Sequence, residues 1–303
     1  MFKFKKNDNL FTCTPIIMNG LNQHSNQVNG YVCTMGNEFE NFENTPSGNF
    51  VIGVNGNNDV YYSNANVSGP SVNPTWQQIN GQSLVQVSGS NGAACGVDKE
   101  GSVYYLANVS STWVNINGAS GLLPNGLKQV SFDGIKGNIM GIDSAGKIYY
   151  ANANITTNPN WTSVMGRLRS ISLSNNQAMG VGNDGFVYYT PNYSSGNWLL
   201  FNTLKTRGQT QISFDGYNNI ALVLNYNNVL YYTTGDFNKT FSNPSWKQIN
   251  NPAVLKSISL SNKRAYATDN ESKIWYCDDI TSGKWVNPPD ENNWNRLAQV
   301  SFQ

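Results

Sequence analysis

"GKIYYANANITTNPNW", residues 146–161, runs from an apolar residue through two tyrosines and an asparagine-rich loop to a tryptophan. The same order returns along the chain. Tyrosine pairs follow an apolar residue at Val60-Tyr61-Tyr62, Val103-Tyr104-Tyr105, Ile148-Tyr149-Tyr150, Val187-Tyr188-Tyr189 and Leu230-Tyr231-Tyr232, and Ile274-Trp275-Tyr276 is a sixth, variant copy. The first aromatic residues lie 43, 45, 39, 43 and 44 positions apart. A period near 40 residues changes the reading of the whole fold and has to be settled before any local motif.

Each pair is followed by a tryptophan: Trp76, Trp113, Trp161, Trp198, Trp246 and Trp285. Next comes an alternating segment: "LVQVSGS" from 84, "LKQVSFD" from 127, "LRSISLS" from 168, "QTQISFD" from 209, "LKSISLS" from 255 and "LAQVSFQ" from 297. A further element precedes each pair, as "FVIGV" at 50, "AACGV" at 93, "NIMGI" at 138, "QAMGV" at 177, "NIALVL" at 219 and "RAYAT" at 264. All are short, β-branched or aromatic, alternate with period two and end in Gly, Asn or Asp, so they read as strands. Turns such as "DKEG" at 98, "DSAG" at 143 and "GNDG" at 182 join the glycine strand to the tyrosine strand as hairpins.

The chain ends on "LAQVSFQ", a first strand with no followers, and its repeats begin near Phe50 on a second strand with no predecessor. Those fragments complete each other. The expected fold is all-β: a six-bladed propeller of four-stranded antiparallel blades over residues 49–303, closed by the C-terminal inner strand joining three N-terminal strands. Neighbouring strand residues face opposite ways, so a Tyr-Tyr pair is expected to send one ring into each interface of its blade. The inner strands carry Ser at alternate positions, which suits limited space near the axis. Gly53, Gly96, Gly141 and Gly180 suit a close approach by a neighbour. Val223 and Ala267 depart from that pattern, so local packing there should differ.

The order W-x-x-I-x-G, L-x-x-V-S, G-V-x-x-x-G-x-V-Y-Y resembles the tectonin repeat, as in "WQQINGQSLVQVS" with "CGVDKEGSVYY" and "WTSVMGRLRSISLS" with "MGVGNDGFVYY". It covers about 255 of the 303 residues. The resemblance implies a six-bladed β-propeller, used in slime-mould surface proteins, in lectins that recognise bacterial lipopolysaccharide or modified surface sugars, and in scaffold modules. It does not choose among these roles.

Composition favours binding over chemistry. Charged residues are 12% of the chain and the formal net charge is +1, so no global field attracts nucleic acid or an anionic membrane. No stretch suits membrane insertion, and "MFKFKK" followed by "NDNLFTCTPIIMNG" does not read as a signal peptide, so a leaderless protein is expected. The single histidine, His24, lies in the N-terminal extension, which disfavours nucleophilic triads. "SFDGIKGN" and "SFDGYNNI" fail the sialidase Asp-box pattern, leaving Asp133 and Asp215 as turn residues. Metal-ligand spacings are absent, no cofactor is implied, and no enzyme is expected. Cys95 and Cys277 fall in separate strands as small apolar residues. Cys13 and Cys33 share the extension and are the candidate disulfide, with their geometry open at this level. The sequon matches at Asn108, Asn192 and elsewhere recur because the loop recurs.

Two functions of different classes survive. In the first, the protein is a multivalent lectin for surface glycans or lipopolysaccharide. Its sites lie between blades at Trp76, Trp113, Trp161, Trp198, Trp246 and Trp285, with Asn66, Asn108 and Asn154 beside them. Packing between blades is the competing role for each tryptophan, and turn formation for each asparagine. In the second, the propeller is a scaffold of a cell or virion surface that holds protein partners, with residues 1–48 acting as a cap or a docking arm.

Overall fold

The computed structural model describes residues 2–6, 9–16, 30–35, 51–63, 75–117, 126–152, 159–201, 208–237, 244–287 and 297–302. The chain divides into two compact units, Met1–Ser47 and Gly48–Gln303. In the first, β1 (Phe2–Lys6), β2 (Asn9–Ile16) and β3 (Gly30–Met35) form an antiparallel sheet in that order. The β2–β3 register sets Cys13 directly opposite Cys33, and facing residues of an antiparallel pair lie within the Cα spacing of disulfides. The side chains of both cysteines lie outside the described residues.

The second unit is an all-β propeller of antiparallel sheets. Its first sheet contains β4 (Val51–Asn55), β5 (Val60–Ser63) and β6 (Gln77–Ile79). The next contains β7 (Gln86–Ser90), β8 (Ala93–Val97), β9 (Val103–Leu106) and β10 (Val114–Asn115). A seven-stranded sheet follows: β11 (Leu127–Asp133), β12 (Asn138–Asp143), β13 (Lys147–Asn152), β14 (Thr162–Ser174), β15 (Gln177–Gly182), β16 (Val187–Thr190) and β17 (Leu199–Leu200). Next are β18 (Gln209–Asp215), β19 (Ile220–Asn225), β20 (Leu230–Thr234) and β21 (Lys247–Ile249). The last are β22 (Leu255–Ser261), β23 (Arg264–Asp269) and β24 (Ile274–Cys277), with Val286 bridging to Tyr276. The final strand, β25 (Leu297–Phe302), pairs antiparallel with β4 and so completes the first sheet.

The tyrosine pairs pack as their alternation requires. Tyr105 and Tyr149 share one apolar cluster, Tyr150 and Tyr188 the next, then Tyr189 and Tyr231. Each cluster therefore joins the second ring of one repeat to the first ring of the following one. Tyr62 with Tyr104, Tyr232 with Trp275, and Tyr276 with Tyr61 extend the rule through the chain junction.

The repeated glycine is explained by a leucine. A Cβ on Gly53 would stand 2.7 Å from Leu297 Cδ1, and Leu84, Leu127 and Leu168 cover Gly96, Gly141 and Gly180 in the same way. Where Val223 replaces the glycine, the corresponding inner-strand residue is Gln209 rather than leucine. The departure seen in sequence is thus a compensated pair.

Serines on the inner strands do more than save space. An inner strand leaves one edge unpaired toward the axis, and buried N–H groups there need acceptors. The preceding sheet supplies them. Ser88 Oγ accepts from Phe132 N at 3.0 Å, Ser131 Oγ from Leu173 N at 2.8 Å, Ser172 Oγ from Phe214 N at 2.9 Å and Ser213 Oγ from Leu260 N at 2.8 Å. Ser301 Oγ accepts from Gly89 N at 3.1 Å and carries the series across the chain ends. Two residues earlier a glutamine amide acts like a strand residue: Gln86 Oε1 accepts from Val130 N at 2.7 Å and its Nε2 donates to Val130 O at 3.0 Å. Gln129 does the same to Ile171, and Gln299 to Val87. Ser88→Ala removes the acceptor of the buried Phe132 N–H. Urea titration is expected to show a loss of roughly 1–3 kcal/mol, against at most about 0.5 kcal/mol for Ser144→Ala in an exposed turn.

Candidate functional site

The clefts between neighbouring sheets are where the recurrent tryptophans converge. Each stands just before the outermost strand of its repeat and packs into the cluster shared with the preceding repeat: Trp76 with Tyr276, Trp113 with Tyr62, Trp161 with Tyr105, Trp198 with Tyr150, Trp246 with Tyr189 and Trp285 with Tyr232.

Their environments differ. Trp161 is 2% exposed, and its Nε1 donates to Ile116 O at 2.9 Å. Trp76 and Trp113 are 6% and 9% exposed, so their ring faces are taken up by packing. Trp198, Trp246 and Trp285 are half-buried and keep part of the indole toward solvent. The buried Nε1 atoms of Trp113, Trp198, Trp246 and Trp285 have no hydrogen-bond acceptor among the described residues. An unpaired buried donor is destabilising until something accepts from it.

The loops before these tryptophans are built by Asx turns. Asn108 Oδ1 accepts from Ser110 N at 3.0 Å, Asn192 Oδ1 from Ser194 N at 3.1 Å and Asp279 Oδ1 from Thr281 N at 2.9 Å. The Asn108 carbonyl oxygen is therefore committed to its turn, while Val109 beside it packs in the Trp113 cluster. Asn66 and Asn154 lie outside the described residues. Beside Trp198 stand the exposed Ser195 and Asn197, and a Cβ on Gly166 would lie 3.2 Å from the Trp198 ring.

Asp133 and Asp215 are turn groups. They are 1% and 5% exposed and end two inner strands. Asp133 Oδ2 accepts from Asn175 N at 2.6 Å, and Asp215 Oδ2 from Asn262 N at 2.6 Å, so each also locks the turn of the following repeat. The Tyr217 hydroxyl donates to Asp133 Oδ1 at 3.3 Å, and burial beside that carboxylate holds the phenol protonated well above its ordinary range. A hydrogen bond to Asp184 pushes Tyr188 up to about 12, and burial raises the Cys95 thiol. These groups are donors near neutral pH rather than bases or nucleophiles. Among the described residues no three His, Cys, Asp or Glu side chains gather as a metal site, and no helix is long and apolar enough to cross a membrane.

The architecture is that of a repeat propeller with an aromatic cluster shared by each pair of neighbouring repeats. The chain belongs to the tectonin family: the Tectonin domain model matches residues 46–209, more than half of its length. No curated protein sequence matches it. Among solved structures it is similar to a chain of a nidogen/laminin complex, with TM-score 0.61 and 10% identity, over 84% of this chain and 97% of that one. It is also similar to YCF48 from Cyanidioschyzon merolae, with TM-score 0.50 and 14% identity, over 80% of this chain and 86% of that one. YCF48 bound to D1 peptide matches at TM-score 0.50 and 14% identity, over 80% and 77%. At such identities the likeness is one of fold.

Proposed function

We propose that the chain is a non-catalytic, multivalent carbohydrate-binding propeller of six blades, with its sites in the clefts that hold Trp198, Trp246 and Trp285. The six-blade count is supported by β14, whose first part pairs with β13 and whose second part pairs with β15, so that the seven-stranded sheet reads as two blades. It is supported too by inner strands β7, β11, β14, β18, β22 and β25, which touch in that order, with β25 returning to β7. The ligand reading is carried by one observation: among the described residues these three tryptophans alone combine a half-buried indole with an unpaired Nε1–H. A sugar stacks its C–H face on the part of such a ring that faces solvent, and several weak sites gain by avidity. Glycans and lipopolysaccharide are the ligand classes this reading names.

The test is a glycan array, with bacterial lipopolysaccharides included, on the full chain and on a variant with Trp198→Phe, Trp246→Phe and Trp285→Phe. Phenylalanine keeps an aromatic ring in each cluster, narrows the stacking face and removes donors that have no acceptor among the described residues. The variant is expected to melt cooperatively and to lose at least tenfold in affinity for the selected glycan. Unchanged binding would place the sites elsewhere.

A second reading is a protein scaffold. Met165 is 80% and Leu200 53% exposed at outer-strand positions where other repeats carry Gln, Asn or Ser, and residues 1–48 would serve as cap or docking arm. Of the similar structures, one belongs to a nidogen/laminin complex and another is YCF48 bound to D1 peptide. A blank array from well-folded protein favours this reading.

A further inference from the structure

Five of the inner strands slip register near their start: between Leu127 and Gln129, Leu168 and Ser170, Gln209 and Gln211, Leu255 and Ser257, and Leu297 and Gln299. The residues held out of the ladder are Lys128, Arg169, Thr210, Lys256 and Ala298. A bulge leaves its extra residue unpaired and re-aims its side chain. Because these are the strands that touch in a closed order about the axis, the bulges set their residues round one axial end. It is the end of the hairpin turns at 98–102, 143–147, 182–186 and 269–273.

Lys128, Arg169 and Lys256 are exposed, and none of them forms an ion pair with a described residue. Arg169 Nη2 is steadied by the Asn183 carbonyl at 2.6 Å. Carboxylates at this end are engaged locally. Asp98, Asp143 and Asp269 accept N–H groups of their own turns at 2.8–2.9 Å, and Asp184 accepts from the Tyr188 hydroxyl at 2.6 Å. Glu100 pairs with Lys99 and Glu271 with Lys273. Lys128, Arg169 and Lys256 thus carry their charge on the inner strands, while the carboxylates of this end sit on the hairpin turns and accept hydrogen bonds there. Tyr226, 69% exposed, stands against Gly208 beside the Thr210 bulge and adds an aromatic surface.

We propose that this axial end binds a small ligand carrying several phosphate esters on a compact ring. Three separated cations suit separated phosphate groups better than one carboxylate, with Arg169 offering a planar fork and the lysines point charges. The net charge of +1 makes such attraction local rather than a property of the whole surface. The site is separate from the rim tryptophans and does not rest on sugar binding there.

Isothermal titration of the full chain with inositol hexakisphosphate at fixed ionic strength is the direct test. Saturable binding is expected, weakened about tenfold by Lys128→Gln and again by Lys256→Gln, since each charge-assisted contact contributes on that scale. Arg169→Lys, which keeps the charge, should bind more tightly than Arg169→Gln. Lys247→Gln on β21 with Lys284→Gln, just before the Val286 bridge, should leave binding unchanged. Phosphatidylcholine vesicles doped with phosphatidylinositol bisphosphate identify the source: capture that depends on Lys256 assigns the esters to a lipid headgroup, and binding of the soluble probe alone assigns them to a free ligand. No saturable binding of either probe, or equal loss in the Lys247 and Lys284 control, overturns the proposal. Thermal melting of each variant separates lost binding from lost fold.

Discussion

Deleting residues 297–303 is expected to abolish the cooperative unfolding transition of the propeller. β25 contributes more than one strand's ladder. Leu297 and Val300, 3% and 1% exposed, pack in the cluster that also holds Val51, Trp76 and Tyr276. Gln299 pairs with Val87 at 3.0 Å, Ser301 Oγ accepts from Gly89 N, and Val300 N donates to Ser257 Oγ at 3.4 Å, so the strand is tied to both neighbouring inner strands. Burial of two apolar side chains contributes about 1.5–3 kcal/mol each, and each unsatisfied buried group left behind costs a further 1–3 kcal/mol or so. Their sum reaches the roughly 5–15 kcal/mol by which whole domains are stable. Thermal melting followed by tryptophan fluorescence should show a broad, early loss of signal. A midpoint within a few degrees of the full chain would mean that closure does not depend on this strand.

Trp161→Ala carries the second large effect, a loss of about 3–5 kcal/mol in guanidinium titrations. The ring is 2% exposed, and its removal leaves a cavity among Val103, Ile116 and Tyr149 and strips the Ile116 carbonyl of its donor. Trp285→Ala should cost clearly less, because its ring is half-buried and its Nε1–H has no acceptor to lose. Equal costs at the two positions would contradict the division of the tryptophans into packing rings and the half-open rings proposed to hold ligand. Full stability of Trp161→Ala together with lost glycan binding would reverse it.

Much of this was readable in one dimension because a repeat states its rules several times. The period of the aromatic pairs, the two-residue alternation and the orphan strands at the repeat ends were enough for a closed all-β propeller. The placement of Tyr149 and Tyr150 on opposite faces followed from strand geometry alone. Gly141 signalled a close neighbour, and the sequence held the identity of that neighbour in Leu127, legible only by noticing that Val223 coincides with Gln209. The role of Ser88 and Ser131 was readable in position but not in purpose. Small size near the axis was a sufficient reason from sequence, whereas their hydroxyls accept from strand edges that local pairing leaves free.

The candidate sites were less legible. Six tryptophans in equivalent positions look alike in sequence, yet the pattern cannot weigh how far each cleft closes over its ring, because that depends on residues some 40 positions away. The bulges at Lys128, Arg169 and Lys256 were invisible for a related reason: a bulge is a mismatch between two strands, and neither strand records it alone. The sequence by itself determined the strands, their alternation, the repeat and its closure, since these follow from local backbone preference and from counting. Only the tertiary structure decided which indoles stay half-open, which donors lack acceptors and which residues of the inner strands bulge out of the ladder. Those properties belong to the spacing between repeats, and packing alone sets it.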